Sequence, residues 1–182
     1  MSAVKLIPAS GGGSVSLAPP NSTSGADVTV TMPTASQGLG KILQVVQAVK
    51  VDTASSSTNS FVDTGISQAI TPISSSSKIL CTYSVYMSHS SAVVSYINLV
   101  RGSTTIFQPS GSPTDEATTV RYGGTGTVML QHVCEFLDSP STTNAITYKL
   151  QYRAHGGTVY INRYTSDNYH GTSSLTLMEV AA

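Results

Sequence analysis

Residues 78–88, KILCTYSVYMS, alternate apolar with mixed side chains along their whole length. Successive side chains of a strand point to opposite faces, so this stretch would bury one face and leave the other half wet. The face predicted to be apolar carries Ile79, Cys81, Tyr83, Val85 and Met87. The pattern therefore predicts a β-strand with one side in a core.

The same format recurs before and after this stretch. Period-2 runs bounded by Gly, Pro and Ser occupy residues 41–52, 61–72 (with a bend at Gly65), 92–102, 127–140 and 168–182. They predict about eight to ten strands and no helix, at the spacing of a sandwich. We therefore expect an all-β fold, a jelly-roll-like antiparallel β-sandwich, over residues 41–182.

Residues 1–40 differ from the rest in composition. Two short alternating runs, SVSLA (14–18) and DVTVTMP (27–33), are separated by Gly, Pro and Asn and predict brief strands with turns. They contain too few apolar residues for a core of their own. The segment is either a disordered leader or a β-rich attachment segment that docks onto another surface, and the clean alternation of DVTVTMP favours docking.

Charge and composition exclude several classes of protein. The chain has nine basic and nine acidic residues, whereas it has 29 Ser and 23 Thr. A nucleic-acid partner would require clustered Lys and Arg, which are absent. We find no export signal and no stretch of roughly 20 apolar residues that could span a membrane. Low charge gives little repulsion between copies, so we expect an obligate oligomer.

We find no catalytic or metal-binding pattern. The four histidines stand alone in sequence, and His132 shares a strand face with Leu130 and Cys134, which indicates a core or interface histidine. Copies of one histidine could also meet on a symmetry axis. Asp115 and Glu116 are neighbours in a loop, which is typical of solvated surface. Cys81 and Cys134 read as free thiols. We predict neither an enzyme nor a cofactor.

Tyrosine is the unusual feature, with nine Tyr against three Phe and no Trp. Residues 148–164, YKLQYRAHGGTVYINRY, predict a two-stranded hairpin with bulky side chains on both faces. The tyrosines could cap a half-wet core, stack on carbohydrate or form a subunit interface. We favour an interface, in which the hairpin contacts a sister subunit through Tyr148, Tyr152, Tyr160 and Tyr164.

Several pieces in order resemble the C-terminal knob of bacteriophage tail fibres and related trimeric virion appendage proteins. They are KILQVVQAVKVDT, FVDTGISQAITP, FLDSPSTTNAITYKLQYR, GGTVYINR and GTSSLTLMEV, and residues 11–35 resemble a segment that precedes such knobs. The resemblance covers nearly the whole chain and implies a homotrimer on a virion, assembled in the host cytoplasm. This chain lacks the long shaft of a typical fibre.

The resemblance implies a short tail fibre that recognises a host-surface glycan, with residues 1–40 attached to the baseplate or tail. The alternative is a capsid decoration, cement or head-fibre protein with a structural role. A depolymerase is disfavoured by the lack of paired carboxylates. By loop position and residue type, the ligand contacts are expected at Arg121, Tyr122, Asn168 and Tyr169, within loops predicted at 53–60, 88–92, 109–126 and 165–171.

Overall fold

The computed structural model describes residues 4–6, 15–17, 41–90, 94–110, 117–122 and 128–182. The chain divides into two compact units, Met1–Ser36 and Gln37–Ala182. In the first unit, β1 (Val4–Leu6) pairs antiparallel with β2 (Val15–Leu17). The predicted strand in SVSLA is thus confirmed, β1 was not predicted, and the run at 27–33 lies outside the described residues.

The second unit consists of strands. Its elements are β3 (Ile42–Lys50), β4 (Ala54–Ser56), β5 (Val62–Ile70), β6 (Lys78–His89), β7 (Val94–Arg101), β8 (Thr104–Ile106), β9 (Thr119–Tyr122), β10 (Leu130–Asp138), β11 (Ile146–His155), β12 (Val159–Ile161) and β13 (Ser173–Val180). The described part of the chain contains no helix. The all-β prediction is therefore confirmed, whereas β4 and β9 are short strands in stretches predicted as loops.

The strands form two antiparallel sheets. The first, called here the β6 sheet, has the order β3-β13-β6-β12-β4, and β10 pairs with the other edge of β6. The second, called the β7 sheet, has the order β5-β11-β7-β8, and β9 pairs with β7 next to β8. The two sheets are thus consistent with the predicted sandwich.

The core lies between the two sheets and is built by the alternating strands. The apolar face of residues 78–88 is buried as predicted, with Ile79, Val85 and Met87 fully inaccessible. Leu175 and Leu177 of β13 pack beside it, and Leu99 and Leu150 close the core from the β7 sheet. Burying this many aliphatic and aromatic side chains is the main force that holds the sheets together.

A bulge in the β7 sheet explains the bend predicted at Gly65. The register between β5 and β11 shifts between Lys149 and Gln151, opposite Gly65. Gly65 has a φ of +83°, and a Cβ there would lie 3.2 Å from Lys50 Nζ. Glycine alone adopts this backbone readily, and it leaves room for the buried part of Lys50.

The hairpin predicted for residues 148–164 is wrong. β11 pairs with β5 and β7 in one sheet, whereas β12 pairs with β4 and β6 in the other. Gly156 and Gly157, with φ of +78° and +63°, turn the chain from one sheet to the other. The Gly-Gly turn was read correctly, but it connects two layers of the sandwich.

Candidate functional site

The four predicted ligand residues lie on different parts of the unit. Arg121 and Tyr122 belong to β9 of the β7 sheet, whereas Asn168 and Tyr169 are exposed in the loop between β12 and β13. The prediction of one shared surface therefore stays a prediction, and each pair has its own surroundings.

Arg121 borders an open cavity between the edges of the two sheets. Thr119, Val120 and Arg121 of β9 and His132 and Val133 of β10 line this cavity of about 440 Å³. Thr119 and Arg121 lie two apart on one strand, so both side chains point to the same face. Cross-strand pairing places Arg121 opposite Ser95 and Thr119 opposite Ile97, whose side chains are buried between the sheets.

A chain of hydrogen bonds fixes the polar floor of this cavity. His132, which is 1% exposed, has its Nε2 3.1 Å from Ser95 Oγ and its Nδ1 3.2 Å from Thr119 Oγ1. The Thr119 hydroxyl lies 2.9 Å from the hydroxyl of Tyr83. Each of these buried polar groups thus has a partner, which holds the Thr119 hydroxyl in place.

His132 is neutral in this setting. Burial lowers its pKa to about 3, and the electrostatic interactions with Arg121 and His89 act in the same direction. Its predicted status as a satisfied core histidine is confirmed by its burial and its two hydrogen bonds. No sequence pattern pointed to Thr119, because one threonine among many in an expected loop is unremarkable.

Arg121 is the cation at the cavity, and its side chain is exposed. Arg101 and Arg163 each make an ion pair, and Arg153 stacks over two aromatic rings. Across the described residues, Arg121 has neither an ion-pair partner nor an aromatic ring beneath it.

His89, at the end of β6, is buried with both ring nitrogens lacking a hydrogen-bond partner. Burial lowers its pKa, which keeps the ring neutral. An unpaired polar group in a core is unfavourable, since its hydrogen bonds to water are not replaced. His89 is not among the lining residues of the cavity. It therefore destabilises the fold and is not part of this site.

The loop with Asn168 and Tyr169 is held by its own contacts. Asp167 Oδ1 lies 3.1 Å from Arg163 Nη1 and 3.1 Å from His170 Nε2. The ring of Tyr169 packs edge-on against Tyr164 at 5.9 Å, yet Tyr169 stays 67% exposed. This exposed aromatic ring and the neighbouring amide are compatible with carbohydrate contact.

The predicted interface tyrosines fall into two groups. Tyr148 and Tyr152 are buried in the chain's own core, so their assignment to a subunit interface is wrong. The opposite face of β11 is covered from within, because the Arg153 guanidinium lies 4.1 Å from the ring centre of Tyr96 and 5.0 Å from that of Phe61. Tyr160 and Tyr164 are half-buried, and their role at an interface stays a prediction.

The outer face of the β6 sheet carries exposed apolar side chains instead. Cross-strand pairing aligns one row over β10, β6, β13 and β3, namely Leu137, Leu80, Met178 and Val45. Val45, Val133 and Leu137 are 53%, 56% and 44% exposed. Along these four strands, which are described in full, the face has Glu135 and Lys78 as its charged side chains. It is nearly neutral and partly apolar.

The described residues contain no cluster of three or more His, Cys, Asp or Glu that could hold a metal ion. Cys81 and Cys134 are free, and burial raises the pKa of both thiols. Among the described elements, no helix has the length and apolarity required to cross a membrane.

Comparisons with known proteins give a structural neighbour but no family. No protein family matches the chain, and no curated protein matches its sequence. Among solved structures, a similar chain is VP2 in the crystal structure of the infectious bursal disease virus VP2 subviral particle. The match has 17% identity and a TM-score of 0.35, and it covers 76% of this chain and 38% of that chain. A likeness at this TM-score carries no argument about function.

Proposed function

We propose that this chain is a structural protein of a bacteriophage particle, a short tail fibre at the baseplate or tail whose sandwich binds the host surface. The resemblance of its sequence to trimeric fibre knobs supports the placement on a virion. The observation that carries the proposal is the order of the strands, which fits the jelly roll expected of such a knob.

The strand order follows once the short strands β4, β8 and β12 are set aside. Of the eight remaining strands of the second unit, the first, eighth, third and sixth lie side by side in the β6 sheet. The second, seventh, fourth and fifth lie side by side in the β7 sheet. This order supports a jelly roll, an architecture used by viral capsid proteins and by lectins. The topology thus supports both halves of the proposal, a virion protein and a carbohydrate-binding surface.

Binding fits the cavity better than catalysis does. Ser95 and His132 lie within hydrogen-bond distance, which is the first requirement of an activated nucleophile. However, Ser95 is fully buried, and the other nitrogen of His132 is held by a threonine hydroxyl rather than by a carboxylate. Because Ser95 and His132 are neutral, enclosed and without an acidic partner, they fit the role of a fixed polar floor for a ligand better than that of a catalytic pair.

We place the subunit interface of the proposed homotrimer on the outer face of the β6 sheet, where a second copy of this chain would bind. A face with almost no charge meets a copy of itself without like-charge repulsion. The face is four strands wide, at about 4.8 Å per strand, and five residues long, at about 3.4 Å per residue. Its area is therefore roughly 300 Å² per copy, which is less than half of what one partner buries in a standard interface. The N-terminal 40 residues would extend the contact or attach the trimer to the particle.

Imaging of the phage particle tests the placement. Antibody fragments raised against residues 41–182 should label the tail or baseplate in electron micrographs. Quantitative mass spectrometry of purified particles should give a few dozen copies or fewer. Absence of the chain from the particle would remove the proposal altogether.

A capsid decoration or cement protein is the second candidate, and the outer face of the β6 sheet favours it. Such a face could lie against a capsid lattice as readily as against a second copy. Hundreds of copies per particle, with label over the head, would establish this role in place of the tail fibre.

A further inference from the structure

We propose that the cavity between β9 and β10 binds an acidic saccharide, with Arg121 receiving the carboxylate of the sugar. The inference rests on the proposed function, because it names the ligand class of a receptor-binding module. Its starting point is a cavity of about 440 Å³ that combines an ordered polar floor with a guanidinium that has no ion-pair partner among the described residues. Volumes of about 300–1,000 Å³ are typical of small-molecule sites.

Charge sets the sign of the ligand. Among the described lining residues, the formal charge is that of Arg121. His132 is neutral because burial and the positive charge of Arg121 lower its pKa. No carboxylate is among the described lining residues. The guanidinium presents a planar fork of N–H donors that matches a carboxylate with two parallel hydrogen bonds. A neutral ligand would leave this fork without a partner.

The size of the cavity and its fixed hydroxyl indicate a sugar rather than a simple anion. Val120 and Val133 also line the cavity, but alternation along β9 and β10 turns their side chains away from Thr119 and His132, so Arg121 and Thr119 are the side chains that a ligand would contact. The Thr119 hydroxyl is fixed by His132 and Tyr83 before any ligand arrives, and it can accept from or donate to a sugar hydroxyl. A small inorganic anion would use Arg121 alone.

The test compares two sugars that differ at one carbon. Nitrogen-15-labelled full-length chain is titrated, by NMR, with methyl β-D-glucuronide, methyl β-D-glucoside and sodium acetate. We expect the glucuronide to bind at least tenfold more tightly than the glucoside or acetate and to shift the amide signals of Val120, Arg121 and Val133. Arg121→Gln should lose at least tenfold in glucuronide affinity, and Arg121→Lys should retain part of it.

The control is Lys78→Gln, which removes one exposed positive charge on the outer face of the β6 sheet and should leave the affinity unchanged. The variants Arg121→Gln, Arg121→Lys and Lys78→Gln should all keep the dispersed spectrum of the folded chain. Equal affinity for glucuronide and glucoside, equal affinity for acetate and glucuronide, or an Arg121→Gln variant that binds as well as the parent overturns the inference.

Particle imaging separates this inference from the proposed function. Arg121-dependent glucuronide binding by a chain that is absent from the particle would uphold the site and remove the virion role. A chain that is found on the tail but shows no preference for the acidic sugar would keep the virion role and remove the site.

Discussion

Tyr148 donates a 2.6 Å hydrogen bond to Asp138, and this contact joins the two sheets of the sandwich. Tyr148 lies in β11 and Asp138 at the end of β10, where both Asp138 oxygens also accept from Arg101 Nη1 at 2.8 Å. Asp138 is nearly buried, so its charge depends on these two partners. The three side chains act as a polar clamp at one end of an otherwise apolar core.

Asp138→Asn should destabilise the fold markedly. It removes the charge that Arg101 pairs with and weakens the bond from Tyr148, so we expect a loss of about 2–3 kcal/mol in the free energy of unfolding in urea. Tyr148→Phe, which deletes a single hydroxyl, should lose about 1–2 kcal/mol. The matched control is Asp63→Asn, because the Asp63–Lys149 pair is more exposed and should contribute less than about 1 kcal/mol. Equal losses for Asp138→Asn and Asp63→Asn would contradict the clamp.

Glu179 should make the fold sensitive to acid. Burial acts to raise its pKa, but hydrogen bonds from the Gln44 amide and the backbone N–H of Ile73 outweigh it, and the pKa lies below its ordinary value of 4.5. A carboxyl with a lowered folded pKa stabilises above its unfolded pKa and loses this contribution as the pH falls through the folded value.

Glu179→Gln therefore separates this contribution from those of the other carboxyls. The parent chain should lose stability between about pH 5 and pH 3 in urea titrations, and the variant should lose less over the same interval. At pH 7 the variant should be less stable by about 1–2 kcal/mol, because Ile73 N–H would donate to a neutral oxygen. Parallel pH profiles would show that Glu179 is not responsible.

His89→Leu should stabilise the protein. The substitution removes two buried nitrogens that have no hydrogen-bond partner and keeps an apolar side chain of similar size, so we expect a gain of about 1 kcal/mol at pH 7. The pKa of His89 is lowered by burial, so the unfolded chain takes up the proton first and the parent loses stability below about pH 6.5. The gain of the variant should grow from pH 7 to pH 5.5 in thermal unfolding. A loss at both pH values would mean that His89 has a partner in solution.

Charges on the outer face of the β6 sheet should separate associated copies. Val45→Lys combined with Val133→Lys places two positive charges among exposed apolar side chains. We expect light scattering to show trimers for the parent chain and monomers for the double variant at micromolar concentration. Ser103→Lys, in the exposed turn between β7 and β8, adds charge elsewhere and should leave the trimer intact. A parent chain that is monomeric at this concentration would remove the proposed trimer.

Strand positions and faces could be predicted from the sequence because side-chain alternation is a local property. Ile79 to Met87 and Tyr148 to Tyr152 alternate as expected, and the structure keeps both patterns. Strand partners could not be predicted, since β11 and β12 are separated by three residues yet belong to different sheets. The tyrosines of β11 were therefore assigned to an interface when their face is the core.

The candidate site was predicted only in part for the same reason. Arg121 was chosen as an exposed planar group, and the structure places it at a cavity. Thr119 and His132 reach that cavity from strands that no sequence pattern connects. Their pairing depends on how β9 and β10 form the edges of two sheets, which is a long-range property of the topology.

The position of β13 has a consequence for how the chain is made. β3 pairs with β13 and with no other strand of its sheet, so its backbone groups stay without partners while residues 51–172 emerge from the ribosome. Contacts of such long sequence separation form slowly and late. β3 thus gains its described neighbour only once residues 173–180 have been synthesised, and until then its edge is open to mispairing with other strands.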